Sequence, residues 1–120
     1  MAAAVAEAPK GAMTTARQLL DAFNAHDPAA MAKLVTNDFE LIYVDDQGKG
    51  EVALVGPEAL VAEMTGYFKV RPEVQSKAES VIDGPRFAAF RERIVGGASS
   101  LAVYEVHDGL IRRVWYYPAE

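Results

Sequence analysis

A chain of 120 residues is sized for one domain rather than two, and with 51% hydrophobic residues it can bury a core without metals or disulfides. It contains no cysteine, which excludes disulfides, zinc–thiolate sites and cysteine nucleophiles. The net charge of −5 argues against sequence-independent nucleic-acid binding, which needs clustered Lys and Arg to neutralise phosphates. The pairs Arg91/Arg93 and Arg112/Arg113 lie among acidic neighbours in predicted strands and read as local ion pairs.

Residues 1–12 are Ala-rich and lack a basic start followed by an apolar core, so they are expected to form a flexible tail rather than a secretory signal, ahead of one domain over 13–120. An amphipathic helix pair is predicted over 15–35. Thr15-Ala16-Arg17-Gln18 fits a capping box, and Ala16, Leu19, Leu20 and Phe23 follow at helical spacing. Asp27-Pro28 starts the second, short helix. A strand follows over 39–44, a turn over 45–50 and a short extended piece over 51–55. Gly56-Pro57 opens another helix, with Leu60, Val61, Met64, Tyr67 and Phe68 on one side; Pro72 bars its continuation. From residue 74 the period changes to two, giving strands over 74–82, 86–95, 99–107 and 110–117 with turns at Asp83-Gly84-Pro85, Gly96-Gly97 and Asp108-Gly109. Helices first and a strand meander after them predict an α+β fold, with a curved antiparallel sheet wrapped around the N-terminal helices as a cone-shaped α+β barrel. No apolar run approaches the roughly 20 residues that span a bilayer. A cytoplasmic protein with no membrane or nucleic-acid partner is expected.

Four segments in this order resemble the nuclear transport factor 2-like superfamily, in its SnoaL-like and ketosteroid isomerase-like branch. They are Leu20-Asp21-Ala22-Phe23-Asn24-Ala25-His26-Asp27, Asn37-Asp38-Phe39-Glu40-Leu41, Gly56-Pro57-Glu58-Ala59-Leu60 and Val106-His107-Asp108-Gly109-Leu110-Ile111. The resemblance implies a deep pocket between a curved sheet and its helices, and homodimers through the sheet's outer face. It also places the isomerase's helical tyrosine donor at Leu19, its aspartate base near Tyr43 and its second acid near Ala102. Leu and Ala cannot donate to an enolate oxygen, so authentic steroid isomerisation is not expected.

Alternation along 86–95 puts Phe90, Glu92 and Ile94 on one face and Arg91 and Arg93 on the other; the more apolar face is assigned to the concave side. The resemblance then turns Ser100, Ala102 and Tyr104 inward, with Arg112, Val114 and Tyr116. This register needs a three-residue loop at His107-Asp108-Gly109. A two-residue Asp-Gly turn would pair Glu105 with Arg112 and flip one strand, and the sequence leaves both open. Glu92, a carboxylate on an apolar wall, is the candidate general acid or base, with Tyr43 as its catalytic partner. Leu19, Phe23, Phe68 and Phe90, with Tyr104, Arg112, Val114 and Tyr116, are the candidate ligand contacts for a small apolar molecule. The bland reading is that Glu92 pairs with Arg112 and the aromatics simply pack. His26 and His107 read as solvent-facing loop residues. Two distant histidines make no metal site, and no Gly-rich loop or nucleophile elbow is present, so neither metal nor cofactor is expected. Trp115, Tyr117, Arg113 and Arg91 compose the expected dimer face. The two functional readings are a proton-transfer enzyme of isomerase, cyclase or dehydratase type and a non-catalytic binding or dimerisation module.

Overall fold

A computed structural model describes residues 11–119, and the expected tail lies outside the described residues up to position 10. Ala12 belongs instead to the first helix, α1 (Ala12–Asn24), where it is buried. The Thr15 capping box does not form: Thr15 is buried one turn inside α1, and the helix has no side-chain cap of its own. Its first amides are satisfied from far along the chain. Ala12 N donates to Gly84 O at 2.7 Å, and Met13 N donates to Asp83 Oδ1 at 2.9 Å. The apolar stripe of α1 buries Ala16, Leu19 and Leu20 against the sheet.

Asp27 accepts from Ala30 N at 3.1 Å, with Pro28 in the first turn, so the second start signal works as the sequence implies for α2 (Pro28–Ala32). Strand β1 (Val35–Val44) begins four residues before its predicted start, because it pairs with the chain's last strand from Val35 onward. The rest is β2 (Gly50–Val55), α3 (Pro57–Val70), β3 (Ser76–Asp83), β4 (Phe87–Ile94), β5 (Ser99–His107) and β6 (Leu110–Ala119).

The architecture is α+β, with six strands in the order β2-β1-β6-β5-β4-β3. Two details of the expected sheet are corrected. It is mixed, because β6 returns beside β1 in the same direction; the other four pairings are antiparallel. It is also open rather than a closed barrel, ending at β2 and β3. Helix α1 crosses the concave face over β3 to β6, while α3 covers β1 and β2. Phe39, Phe90, Tyr104, Ile111 and Val114 are the largest fully buried side chains between these layers.

The register of the last hairpin resolves in an unanticipated way. Asp108 (φ 51°) and Gly109 (φ 77°) are both left-handed, and His107 pairs with Leu110, so the turn has two residues. A bulge then sets Val106 opposite Ile111 but Glu105 opposite Arg113, leaving Arg112 as the extra residue. Relative to the three-residue loop, which would set Tyr104 opposite Arg112 and Ala102 opposite Val114, turn and bulge together shift the pairing by two residues. The same rows therefore face inward, while Tyr104 pairs with Val114 and Ala102 with Tyr116.

Candidate functional site

Between the concave face and helices α1 and α3 lies a cavity of about 350 Å³, the size of a small-molecule site. Each wall follows from the periodicity of its element. Helix α1 contributes Leu19, Leu20 and Phe23, four residues apart at most and so on one face. Strand β1 contributes Phe39, Leu41 and Tyr43 at a period of two, and strands β4 to β6 contribute Glu92, Ile94, Ser100, Tyr104, Val114 and Tyr116.

Glu92 stands in the wall on β4. Its carboxylate accepts from Tyr104 Oη at 3.0 Å and from Tyr116 Oη at 3.2 Å on the same oxygen, Oε1; the contact from Tyr116 to Oε2 is 3.4 Å. The two phenol oxygens are 3.3 Å apart. Glu92 keeps intermediate exposure because its open side faces the cavity. Burial pushes its carboxyl above the usual range, against the opposing pull of the Tyr104, Tyr116 and Ser76 hydroxyls. Ser76 Oγ lies near enough to favour the charge, yet this buried atom has no partner at hydrogen-bond geometry among the described residues. Burial, reinforced by the nearby Glu92 charge, pushes both phenols well above the ordinary range, so Tyr104 and Tyr116 act as donors and not as bases.

Tyr43 stands at the rim, 53% exposed, with its ring 5.8 Å from that of Tyr116 and tilted by 26°. Burial of its inner side raises its pKa first, followed by the negative charges of Glu63 and Glu92 and by Tyr67. Its hydroxyl makes no hydrogen bond among the described residues, which leaves it free to donate to a ligand.

Leu19, Phe23, Tyr43, Glu92, Tyr104, Val114 and Tyr116 come together as the sequence reading placed them. Three expected contacts do not. Arg112 is the bulge residue, and the bulge removes it from the inward row; its guanidinium meets Asp38 at 3.5 Å. Phe68 lies behind Phe23, edge-on to it at 5.3 Å, and is covered by His26 at 4.3 Å and 7°. Phe90 faces inward but sits under Tyr104, ring to ring at 5.1 Å, as a core residue 1% exposed. The histidines also depart from expectation. His26 has a left-handed backbone (φ 53°), and its Nε2 is 2.7 Å from Val74 O. His107 Nε2 is 2.8 Å from Glu105 Oε2.

Sequence reasoning missed Glu63 and Tyr67, one helical turn apart on α3, which line the mouth. Their i, i+4 spacing was the available signal, but an exposed glutamate on a surface helix does not announce a cavity. Among the described residues no three His, Cys, Asp or Glu side chains converge on a metal-sized site, and no helix is long and apolar enough to cross a membrane.

Comparison with known proteins agrees with this geometry. Solved structures with the same fold include a SnoaL-like protein of unknown function from Burkholderia thailandensis (20% identity, TM-score 0.72, covering 90% of this chain and 93% of that one). A candidate ketosteroid isomerase from Kribbella flavida has 21% identity and a TM-score of 0.64, over 89% of this chain and 76% of that one. A candidate polyketide cyclase from Streptomyces antibioticus has 16% identity and a TM-score of 0.66, over 87% and 88%. No curated protein matches the sequence. The family model of the SnoaL-like domain matches residues 16–114, which spans α1 to the middle of β6 and includes Glu92 and Tyr104. The chain belongs to the SnoaL-like domain family, within the nuclear transport factor 2-like superfamily.

Proposed function

We propose that the protein is a proton-transfer enzyme acting on a small, largely apolar carbonyl compound, in the manner of an isomerase, cyclase or dehydratase. The observation that carries this reading is a carboxylate set in the wall of an apolar cavity between two tyrosine hydroxyls. A carboxyl raised by burial sits closer to the working pH, where a proton can be both taken and returned. In the proposed step Glu92 removes a proton from the carbon next to the carbonyl and redelivers it elsewhere on the same frame. Tyr104 and Tyr116 are positioning residues that fix the carboxylate and stabilise its charge. Tyr43, with its hydroxyl unengaged, donates to the carbonyl oxygen as negative charge develops there.

The related solved structures described as a candidate cyclase and a candidate isomerase make this reaction class a reasonable expectation for the fold. The competing reading, a non-catalytic ligand-binding module, is favoured by one fact: both Glu92 oxygens already have phenol neighbours. Proton–deuteron exchange at the α-carbon of a hydrophobic ketone such as 2-tetralone, followed by NMR in heavy water, separates the two. The enzyme reading expects exchange above the buffer rate in wild type and its loss in Glu92→Gln. Exchange at the buffer rate in wild type favours the binding module, and faster exchange that is unchanged in the variant removes Glu92 as the base.

A further inference from the structure

Three arginines of this sheet are paired with carboxylates away from the cavity. Arg93 meets Glu79 at 3.1 Å, Arg112 meets Asp38 at 3.5 Å, and Arg113 meets Glu40 and Glu105 at 2.9 and 3.1 Å. None of these arginines lines the cavity. Among the described residues, the charged side chains that do line it are two carboxylates, Glu92 in the wall and Glu63 at the mouth, with no Lys, Arg or His. Aromatic rings share the lining. Phe23 and Tyr67 lie 6.1 Å apart between α1 and α3, and Tyr43 and Tyr116 lie 5.8 Å apart between β1 and β6. The negative charges of Glu63 and Glu92 both act on the Tyr43 hydroxyl, so their fields overlap at the rim between them.

We propose that the cavity selects ligands carrying a protonated amine, seated between the Glu63 carboxylate and the ring faces of Tyr43 and Tyr67. This inference deepens the enzyme reading by naming the substrate class, and rests on the same cavity being a ligand site. The apolar body of the ligand lies inward against Leu19, Leu41 and Val114, and its ammonium group stays at the mouth. An aromatic face attracts a cation through its negative quadrupole, and the carboxylate at the same rim adds direct attraction. The same walls repel a carboxylate-bearing ligand, which finds no cation to pair with. Glu63 is the residue that sets this charge preference, and Glu92 is left to the chemistry.

Three probes of one shape test the proposal: 2-naphthylmethylamine, 2-naphthalenemethanol and 2-naphthoate, titrated calorimetrically into the full chain at neutral pH and low salt. The expected order is amine tightest, alcohol next and carboxylate weakest, with the amine ahead of the alcohol by about tenfold. Glu63→Gln, a change at an exposed helix position, should narrow the amine-to-alcohol ratio severalfold. Alcohol binding without amine preference, naphthoate binding as tight as amine, or a ratio unchanged in Glu63→Gln would overturn the charge selection and leave the enzyme reading standing. Failure of all three probes to bind would remove the ligand cavity itself, and this inference with it.

Discussion

Tyr104 and Glu92, twelve residues apart on adjacent strands, meet through a 3.0 Å hydrogen bond whose donor is itself completely buried. Such a phenol has no solvent to return to, so the bond both restrains the carboxylate and stabilises its charge.

A pH prediction follows from the direction of the Glu92 shift. Burial raises its folded-state pKa above the ordinary 4.5 despite the hydroxyl bonds. A carboxyl raised on folding stabilises the protein fully below its unfolded value, and that contribution is lost as pH rises through the folded pKa. Glu92→Gln abolishes the titration, so in thermal unfolding wild type should lose stability relative to Glu92→Gln as pH rises from the ordinary carboxyl range through the raised folded-state pKa. Tyr104→Phe removes a bond that favours the charged form, deepening the loss by about 1.5–3 kcal/mol at the alkaline end. Parallel pH curves for wild type and Glu92→Gln would mean that the carboxyl is not desolvated.

Glu105 behaves in the opposite sense. It is 7% exposed on the outer face, bonded to His107 Nε2 at 2.8 Å and to Arg113 Nη1 at 3.1 Å. Burial pushes its carboxyl up, but the bonds to His107 and Arg113 outweigh burial and leave the pKa below the ordinary range. Its stabilising contribution is present above the unfolded pKa and is lost as pH falls through the folded one. Glu105→Gln should cost about 1–3 kcal/mol at neutral pH in denaturant unfolding, and the difference from wild type should shrink in acid. A cost that persists undiminished in acid would assign it to packing instead.

The concave row was legible because alternation along β4 leaves no freedom: once Phe90 faces the core, Glu92 must follow. Val114 and Tyr116 face inward as the three-residue loop would have turned them, because the two-residue turn and the bulge each shift the register by one, and a shift of two keeps every side chain on its face. Arg112 is where that double shift becomes visible, since a bulge residue belongs to neither alternating row. Phe68 was misplaced for a different reason. The apolar face of α3 is wider than the cavity, and the left-handed backbone at His26, which brings an imidazole onto the Phe68 ring, has no sequence signature as strong as a glycine. The cap of α1 was out of reach altogether, since its acceptor on Asp83 is 70 residues away.

That distant cap makes Gly11 a sensitive position. A Cβ built there would clash with the Asp83 carboxylate, while the same carboxylate is held by Met13 N. Gly11→Ala must therefore displace the cap, and should destabilise the protein by about as much as Asp83→Ala, roughly 0.5–2 kcal/mol, the usual cost of losing a helix cap. The double variant should then be little worse than either single one, because both remove the same bond. Additive losses in chemical unfolding would disconnect Gly11 from the cap.

We propose that the outer sheet face joins two copies of the chain, as the family resemblance implies. Phe87 and Leu101 are 47% and 43% exposed there, and the Phe87 ring lies 6.5 Å from that of Trp115, so the face offers contiguous apolar surface beside the Glu40–Arg113–Glu105 ion pairs. Apolar and aromatic side chains rimmed by fixed charges fit a self-complementary twofold contact. Leu101 points away from the cavity and pairs with Arg91 and Tyr117, so Leu101→Glu should leave the concave face intact. Sedimentation velocity should give a dimer for wild type and a monomer for Leu101→Glu. A wild-type protein that sediments as a monomer at high micromolar concentration would refute the association, and a variant that remains dimeric would move the contact to another face.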